Sequence, residues 1–240
     1  MTYRLPIYIK ALNLSALSVD YTWDNEIFNK FWIAHDESSP RLATAINTIN
    51  GKAAFALAVA CSEWVAARVE NYIDTSDALL RIEAGWAAVA DWRYASLPTP
   101  PPNPPTVIKE FASPLRLAMR LMAHAHELYS TNSQDVNSRT QGLIMLTEHI
   151  AGRHPAFEPW LIESLRRCRD HFPDIDLPME KQPLVPKEFF EPSFVWMNGA
   201  AEESLVSFLQ TLDPLKNPYL RTPEQMQADG FKGSPYGGSL

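Results

Sequence analysis

The most apolar stretch of the chain, residues 53–69, reads AAFALAVACSEWVAARV. Glu63 lies inside it and Arg68 lies near its end, and alanine is more frequent in it than leucine or isoleucine. A membrane span needs about 20 predominantly apolar residues, and charged side chains near its centre are costly. The stretch therefore predicts a buried core helix, part of a longer helix from Lys52 to Ile73 whose other face is small and partly charged.

Helical patterns continue on both sides of this stretch. The next one begins at Thr75 or Ser76 and runs to about Tyr94, so the two helices should form an antiparallel hairpin. Further patterns cover a short helix after Asp24, then residues 41–50, 113–129, 141–151, 157–171 and 199–212. The predicted fold class is all-α, a multi-helix bundle with proline-rich extended connections and a docked C-terminal tail. The opening residues RLPIYIKALNL fit either a short strand or irregular structure.

Proline interrupts the helices at two places. Residues 97–105 read LPTPPPNPP, with six prolines, and no helix crosses such a segment because proline lacks a backbone donor. It separates sub-blocks 1–96 and 106–240. We expect a strap across one domain of residues 1–240 rather than a linker between two domains. Between Pro173 and Pro192 the proline spacing predicts an extended segment wrapped over the helices.

Charge and cysteine content exclude some classes of protein. The net charge is −7 and the sequence pI is about 5.4, which argues against nucleic-acid binding because phosphate contacts need a concentrated basic face. The two cysteines, Cys61 and Cys168, lie in apolar helical patterns and are expected to be buried free thiols. Since no secretory signal or membrane span is visible, the predicted location is cytoplasmic and reducing.

Sequence motifs assign no catalytic residue, cofactor or metal. A Gly-rich phosphate loop, GxSxG, CxxC, HExxH and an EF-hand loop are all absent from the sequence. His124 and His126, two residues apart on one helix, point to roughly opposite sides and cannot chelate one ion together. The carboxylates Glu63, Glu83 and Asp91 suit acid–base work only if they converge, and buried ion pairs with nearby arginines are the simpler interpretation.

One polar helix face is a candidate binding site. Arg116, Arg120, His124 and Glu127 fall at i, i+4, i+8 and i+11 and therefore share one side of the predicted 113–129 helix. A ligand or a partner could use this face. The alternative is an ordinary solvated face with a His124–Glu127 neighbour pair.

Composition favours a protein-binding function. Residues 173–240 carry five basic and ten acidic side chains, including Glu202 and Glu203, and an acidic, aromatic-bearing surface suits a basic protein partner. The leading hypothesis is a non-catalytic protein, most concretely a bacterial immunity-like or antitoxin-like inhibitor. The alternative is an enzyme or a small-ligand-binding bundle, which predicts a concave pocket with converging titratable groups. A second alternative is a homo-oligomeric structural protein.

Overall fold

The computed structural model describes residues 3–32, 39–100, 109–175, 177–197 and 199–237. Within these ranges it contains α-helices, short 3-10 turns and extended segments but no β-strand, so the all-α prediction is confirmed. The helices are α1 (Ile7–Ala11), α2 (Asn25–Trp32), α3 (Pro40–Ile46), α4 (Gly51–Val69), α5 (Ser76–Ala90), α6 (Lys109–Ser130), α7 (Val136–Ala151), α8 (Phe157–His171), α9 (Ala200–Gln210) and α10 (Pro223–Ala228). None of the helices in these ranges combines the length and the apolar character needed to cross a membrane.

Helix α4 is the centre of the bundle and packs against α5, α6 and α7. Asn50 caps its N-terminus by accepting a hydrogen bond of 2.9 Å from the backbone N–H of Ala53. Every residue from Lys52 to Val69 is buried, because the many alanines let neighbouring helices approach on all sides. The prediction of a buried core helix is therefore confirmed, and its charged residues Lys52, Glu63 and Arg68 are buried as well.

The hairpin predicted for α4 and α5 is confirmed. Trp86 contacts Glu63, and Lys52 approaches the carbonyl of Ala90, so the two helices run in opposite directions. Gly85 lets them approach closely, since a Cβ atom there would lie 3.2 Å from Cγ2 of Val59. Helix α5 ends at Ala90, four residues before the predicted end, because the Asp91 side chain accepts the N–H of Arg93 and begins a 3-10 turn.

Helix α6 begins four residues before the predicted start, so Pro114 lies inside it rather than in its first turn. A proline at this position removes the N–H that would bond to the carbonyl four residues earlier. That carbonyl, on Glu110, instead accepts a hydrogen bond of 2.7 Å from the hydroxyl of Tyr21. A side chain from the N-terminal part of the chain thus replaces the missing backbone donor.

Other boundaries differ by a few residues. Helix α7 begins at Val136 rather than 141, and α9 spans Ala200–Gln210 rather than 199–212. Helix α3 ends at Ile46, before the predicted Asn50, and the opening segment contains a short helix, α1, instead of a strand. Of the first proline-rich segment, residues 101–105 lie outside the described residues.

The second proline-rich segment wraps over the bundle as predicted. Its aromatic residues Phe189 and Phe190 are buried, and the carbonyl of Phe190 accepts a hydrogen bond of 2.9 Å from Trp160 Nε1. Arg167 on α8 donates to three carbonyls of this segment, those of residues 189, 191 and 194. One guanidinium therefore fixes a length of extended chain against the helices.

The C-terminal tail is docked, also as predicted. Phe231 is buried against the ring of Tyr94, and the Tyr236 hydroxyl donates to the carbonyl of Arg221 at 2.6 Å. Backbone bonds join residues 94–96 to residues 219–221, so the tail runs beside the chain that follows α5. This contact places Arg221 close to α6.

Candidate functional site

The predicted polar face of α6 lies beneath α2. Phe28 and Trp32 of α2 contact the Arg120 guanidinium, whose central carbon lies 5.6 and 4.6 Å from the two ring centroids. Arg120 and His124 are partly buried as a result, whereas Glu127 is exposed. The face is therefore partly covered by aromatic side chains, and the alternative of a simply solvated face does not hold for Arg120 and His124.

A cavity of about 570 Å³ opens between α6, the end of α2 and the C-terminal tail, and we call it the Trp32 cleft. Its lining residues are Trp32, Trp92, Ala95, Ser96, Leu97, Pro98, Thr99, Arg120, Ala123, His124, His126, Glu127, Ser130 and Arg221. Three of the four residues of the predicted face, Arg120, His124 and Glu127, thus line one cavity. Its volume falls within the range of small-molecule sites.

Cationic and basic groups surround the Trp32 ring. The guanidinium carbons of Arg120 and Arg139 lie 4.6 and 5.2 Å from its centroid, within the range of cation–π attraction. The imidazole of His124 stacks on the same ring, with centroids 5.8 Å apart. Arg139 also donates to the backbone carbonyl of Trp32 at 2.9 Å, which fixes the end of α2. The indole is held in place before any ligand arrives.

Within the described part of the chain, two polar atoms of the cleft residues, Arg120 Nε and His124 Nδ1, are buried without a hydrogen-bond partner. Burial lowers the pKa of His124, and the positive charge of Arg139 lowers it further. The imidazole is therefore neutral at neutral pH, and the positive charge at this end of the cleft comes from guanidinium groups. Buried polar groups without partners cost free energy that a ligand can recover.

Arg221 supplies a further guanidinium from the C-terminal tail. It forms an ion pair with Asp229 and donates to the carbonyl of Gln225 at 3.1 Å. Its own backbone N–H donates to the carbonyl of Tyr94 at 2.9 Å. Because both its backbone and its side chain are anchored, Arg221 is a fixed part of the cleft.

Arg116, the remaining residue of the predicted face, lines a separate depression of about 540 Å³ together with Phe28. Burial and the charge of Arg120 lower the pKa of Arg116. Glu202 and Glu203 lie in the exposed first turn of α9, where the helix dipole favours carboxylates. Neither glutamate lines the cleft.

The carboxylates considered for acid–base work do not converge. Glu83 accepts a hydrogen bond from Asn217 Nδ2 at 2.8 Å, and Asp91 pairs with Arg93 as predicted. The prediction of an ion pair is wrong for Glu63, whose Oε1 accepts hydrogen bonds from the Tyr3 hydroxyl and from Trp86 Nε1. Burial raises the pKa of Glu63 to about 7.

His124 and His126 both line the cleft but contact different groups: His124 stacks on Trp32, whereas His126 is turned toward α4. The His126 ring packs against Phe55, and its Nε2 lies 3.1 Å from the carbonyl oxygen of Trp92. No group of three or more His, Cys, Asp or Glu side chains that could hold a metal ion occurs in the described ranges.

Sequence reasoning missed three residues from other segments: Trp32 and Arg221, which line the cleft, and Arg139, which packs on the Trp32 ring. The sequence places Trp32 on an amphipathic helix, but its spacing of four from Phe28 gives no sign of what the two rings cover. Arg139 and Arg221 lie in polar stretches without a motif. No local pattern brings these residues to α6.

Comparisons with known proteins do not add to this geometry. No protein-family model, curated protein or solved structure matches the chain. Function must therefore be inferred from the cleft itself.

Proposed function

We propose that this chain is a ligand-binding helical protein and that its Trp32 cleft takes an anionic ligand with a flat apolar part. The observation that carries the proposal is the Trp32 ring with the guanidinium carbons of Arg120 and Arg139 within 5.2 Å of its centroid. Trp32 is only partly buried, so the part of its ring that lines the cleft offers apolar contact to a flat ring of the ligand. An anionic group of the ligand can accept hydrogen bonds from the guanidinium groups, and these charge-assisted bonds are stronger than hydrogen bonds between neutral groups.

Binding suits this arrangement better than catalysis. The Ser130 hydroxyl, which lines the cleft, donates to the carbonyl of Glu127 at 2.7 Å and is therefore not aligned with His124 as a nucleophile would be. The buried Arg120 Nε has no hydrogen-bond partner among the described residues, and an anionic group of a ligand would give it an acceptor. An enzyme of unknown reaction remains the alternative.

The experiment is calorimetric titration of the wild-type protein and of Arg120→Gln with benzoate, 1-naphthyl phosphate and AMP. Inorganic phosphate serves as the anion without a ring, and 1-naphthol serves as the ring without a charge. We expect the ring-bearing anions to bind more tightly than either of these, with a Kd that rises with salt. Arg120→Gln should raise that Kd about tenfold, which corresponds to the loss of one charge-assisted hydrogen bond.

The matched control is Arg153→Gln, which removes an exposed arginine that pairs with Asp20. Its Kd should equal that of the wild type. Equal affinities of Arg120→Gln and Arg153→Gln, or equal binding of 1-naphthol and 1-naphthyl phosphate, would contradict the anionic cleft.

Binding of a basic protein partner is the second candidate, and it keeps the inhibitor hypothesis drawn from composition. Its support is the segment that leads into α9, where Val195 and Met197 are 71% and 63% exposed shortly before Glu202 and Glu203. Exposed apolar side chains beside carboxylates suit a basic partner surface.

This second candidate is tested by co-purification from the native host and weighing of the complex. Charge reversal at Glu202 and Glu203 should weaken a basic partner and reduce the salt dependence of its binding. A complex of identical chains would instead favour the homo-oligomeric alternative, and unchanged affinity after charge reversal would exclude this patch.

A further inference from the structure

A second cavity, of about 740 Å³, lies between the N-terminal ends of α4 and α7 and the extended segment after α8, and we call it the amide pocket. Six of its lining side chains are primary amides: Asn47, Asn132, Gln134, Asn137, Gln141 and Gln182. Among the residues that the structure describes, its lining contains no lysine, arginine or histidine and shares no member with the Trp32 cleft.

Several of these amides are held in place by the backbone. Asn132 Oδ1 accepts the N–H of Met179 at 2.8 Å. Gln182 uses both ends of its amide, since its Oε1 accepts the N–H of Lys52 at 2.9 Å and its Nε2 donates to the carbonyl of Leu177 at 3.0 Å. These bonds fix the wall formed by the segment around Met179. A wall that is ordered before binding costs a ligand less conformational entropy.

Other amide atoms are left for a ligand. Asn137 Nδ2 donates to Asn47 Oδ1 at 3.1 Å, and this bond orients the two amides against each other. The Asn137 Oδ1 atom is buried and has no hydrogen-bond partner within the described part of the chain. Asn47 and Asn132 use their oxygens in these bonds, which leaves their N–H groups as donors. The pocket thus presents both acceptors and donors.

The charge of the lining determines which ligands fit. Asp135 and Asp174 lie at the pocket, and no basic side chain of the described lining offsets them, so phosphates and carboxylates are disfavoured. A hydroxyl group donates and accepts at once and therefore matches a primary amide in both directions. The exposed apolar side chains of Ile175 and Leu177 provide surface for the C–H face of such a ligand.

We propose that the amide pocket binds an uncharged polyhydroxylated ligand of the saccharide class, and that the Asn137 side chain turns on binding so that its buried Oδ1 accepts from one of the ligand's hydroxyls. A volume of about 740 Å³ accommodates a ligand of a few sugar rings. This site is independent of the anionic ligand at the Trp32 cleft.

The test is nuclear magnetic resonance of the full-length protein labelled with ¹⁵N, in which side-chain amide signals are observed directly. The probes are millimolar glucose, N-acetylglucosamine and maltotriose, with spermidine as a cationic probe and inorganic phosphate as an anionic one. We expect at least one saccharide to shift the side-chain signals of Asn47 and Asn137 in a saturable manner. Phosphate should leave them unchanged.

Two variants keep the test informative if one of them folds poorly. Asn137→Ala removes the unpartnered acceptor and should raise the saccharide Kd about tenfold. Gln134→Ala changes an exposed residue at the rim and should raise it less. The control is Asn71→Ala, which removes an exposed amide that bonds to Ser15 away from the pocket, and it should bind as the wild type does.

The results that overturn the proposal are equally definite. Saturable shifts with spermidine and none with saccharides would mean that the carboxylates recruit a cation instead. Absence of shifts with all probes, or equal saccharide affinity of Asn137→Ala and Asn71→Ala, would mean that the amides only build the wall.

Discussion

Replacement of Glu63 by glutamine should change how the stability of the protein depends on pH. Glu63 is 1% exposed, at the centre of the bundle, and its Oε1 accepts from a phenol and an indole rather than from a cation. Burial raises its pKa from 4.5 to about 7. The folded protein therefore keeps a proton on Glu63 at a pH where the unfolded chain has already lost it.

The sign and size of the effect follow from this difference. A raised pKa in the folded state gives stability that is fully present below the unfolded pKa and is lost as pH rises through the folded pKa. Each unit of difference is worth about 1.4 kcal/mol, so the free energy of unfolding should fall by about 3 kcal/mol from this group. The loss should occur between about pH 4.5 and pH 7 and then level off.

Urea denaturation followed by far-ultraviolet circular dichroism, repeated between about pH 5 and pH 8, measures this loss. The glutamine side chain of the variant is neutral throughout and keeps an oxygen for both donors, so Glu63→Gln should become more stable relative to the wild type as pH rises. The pKa of His126 is lowered by burial and has the opposite pH dependence, but both proteins share it and it cancels. A difference that stays flat, or that shrinks as pH rises, would refute a buried, uncompensated carboxyl group.

Two further substitutions test other buried polar groups. Lys52→Met should raise the free energy of unfolding at neutral pH by about 2 kcal/mol. Burial lowers the Lys52 pKa to about 8, and its Nζ makes only a long hydrogen bond of 3.5 Å to the carbonyl oxygen of Ala90. An equal or lower urea midpoint would contradict this. Tyr21→Phe should lower the free energy of unfolding by about 1 kcal/mol, because it removes the hydrogen bond to the Glu110 carbonyl. This loss of stability should be smaller in a Pro114→Ala background, where residue 114 regains an N–H for that carbonyl. A double-mutant cycle that shows no coupling would count against this role of Tyr21.

Helix positions can be predicted from the sequence where they depend on the spacing of apolar residues within the helix itself. The α4–α5 hairpin, the wrapped segment after Pro173 and the docked tail all follow from periodicity, proline placement and aromatic content. The boundary of α6 is not predictable in this way, because the bond that permits Pro114 inside the helix comes from Tyr21, which is distant in sequence. Capping and turn residues predict where a helix ends only when the groups that they bond to are close in sequence.

The polar groups of α4 show the same limit. An alanine-rich helix has few large side chains to mark which face is buried, so its sequence does not show which groups surround Glu63 and Arg68. Their partners come from elsewhere: Glu63 accepts from Tyr3, and Arg68 donates to the carbonyl of Ile150 at 3.0 Å. Periodicity identifies a helix, but it does not identify what surrounds that helix.

Only part of the candidate site is predictable from the sequence, for the same reason. Helical spacing predicts that Arg120, His124 and Glu127 share one side of α6, and they do line one cleft. What turns that side into a cleft is Trp32 above it and Arg221 beside it, and both depend on tertiary contacts. The amide pocket has no signal in the sequence, because isolated Asn and Gln residues are ordinary in loops.

The two cavities differ so clearly in charge that each serves as a control for the other. Guanidinium groups and an indole ring make the Trp32 cleft suited to anions, whereas the described lining of the amide pocket has carboxylates and no basic side chain. Arg120→Gln should therefore leave saccharide shifts unchanged, and Asn137→Ala should leave the affinity for 1-naphthyl phosphate unchanged. If either substitution weakened both ligands, the cause would be a general loss of folding, and neither result would then support a specific site.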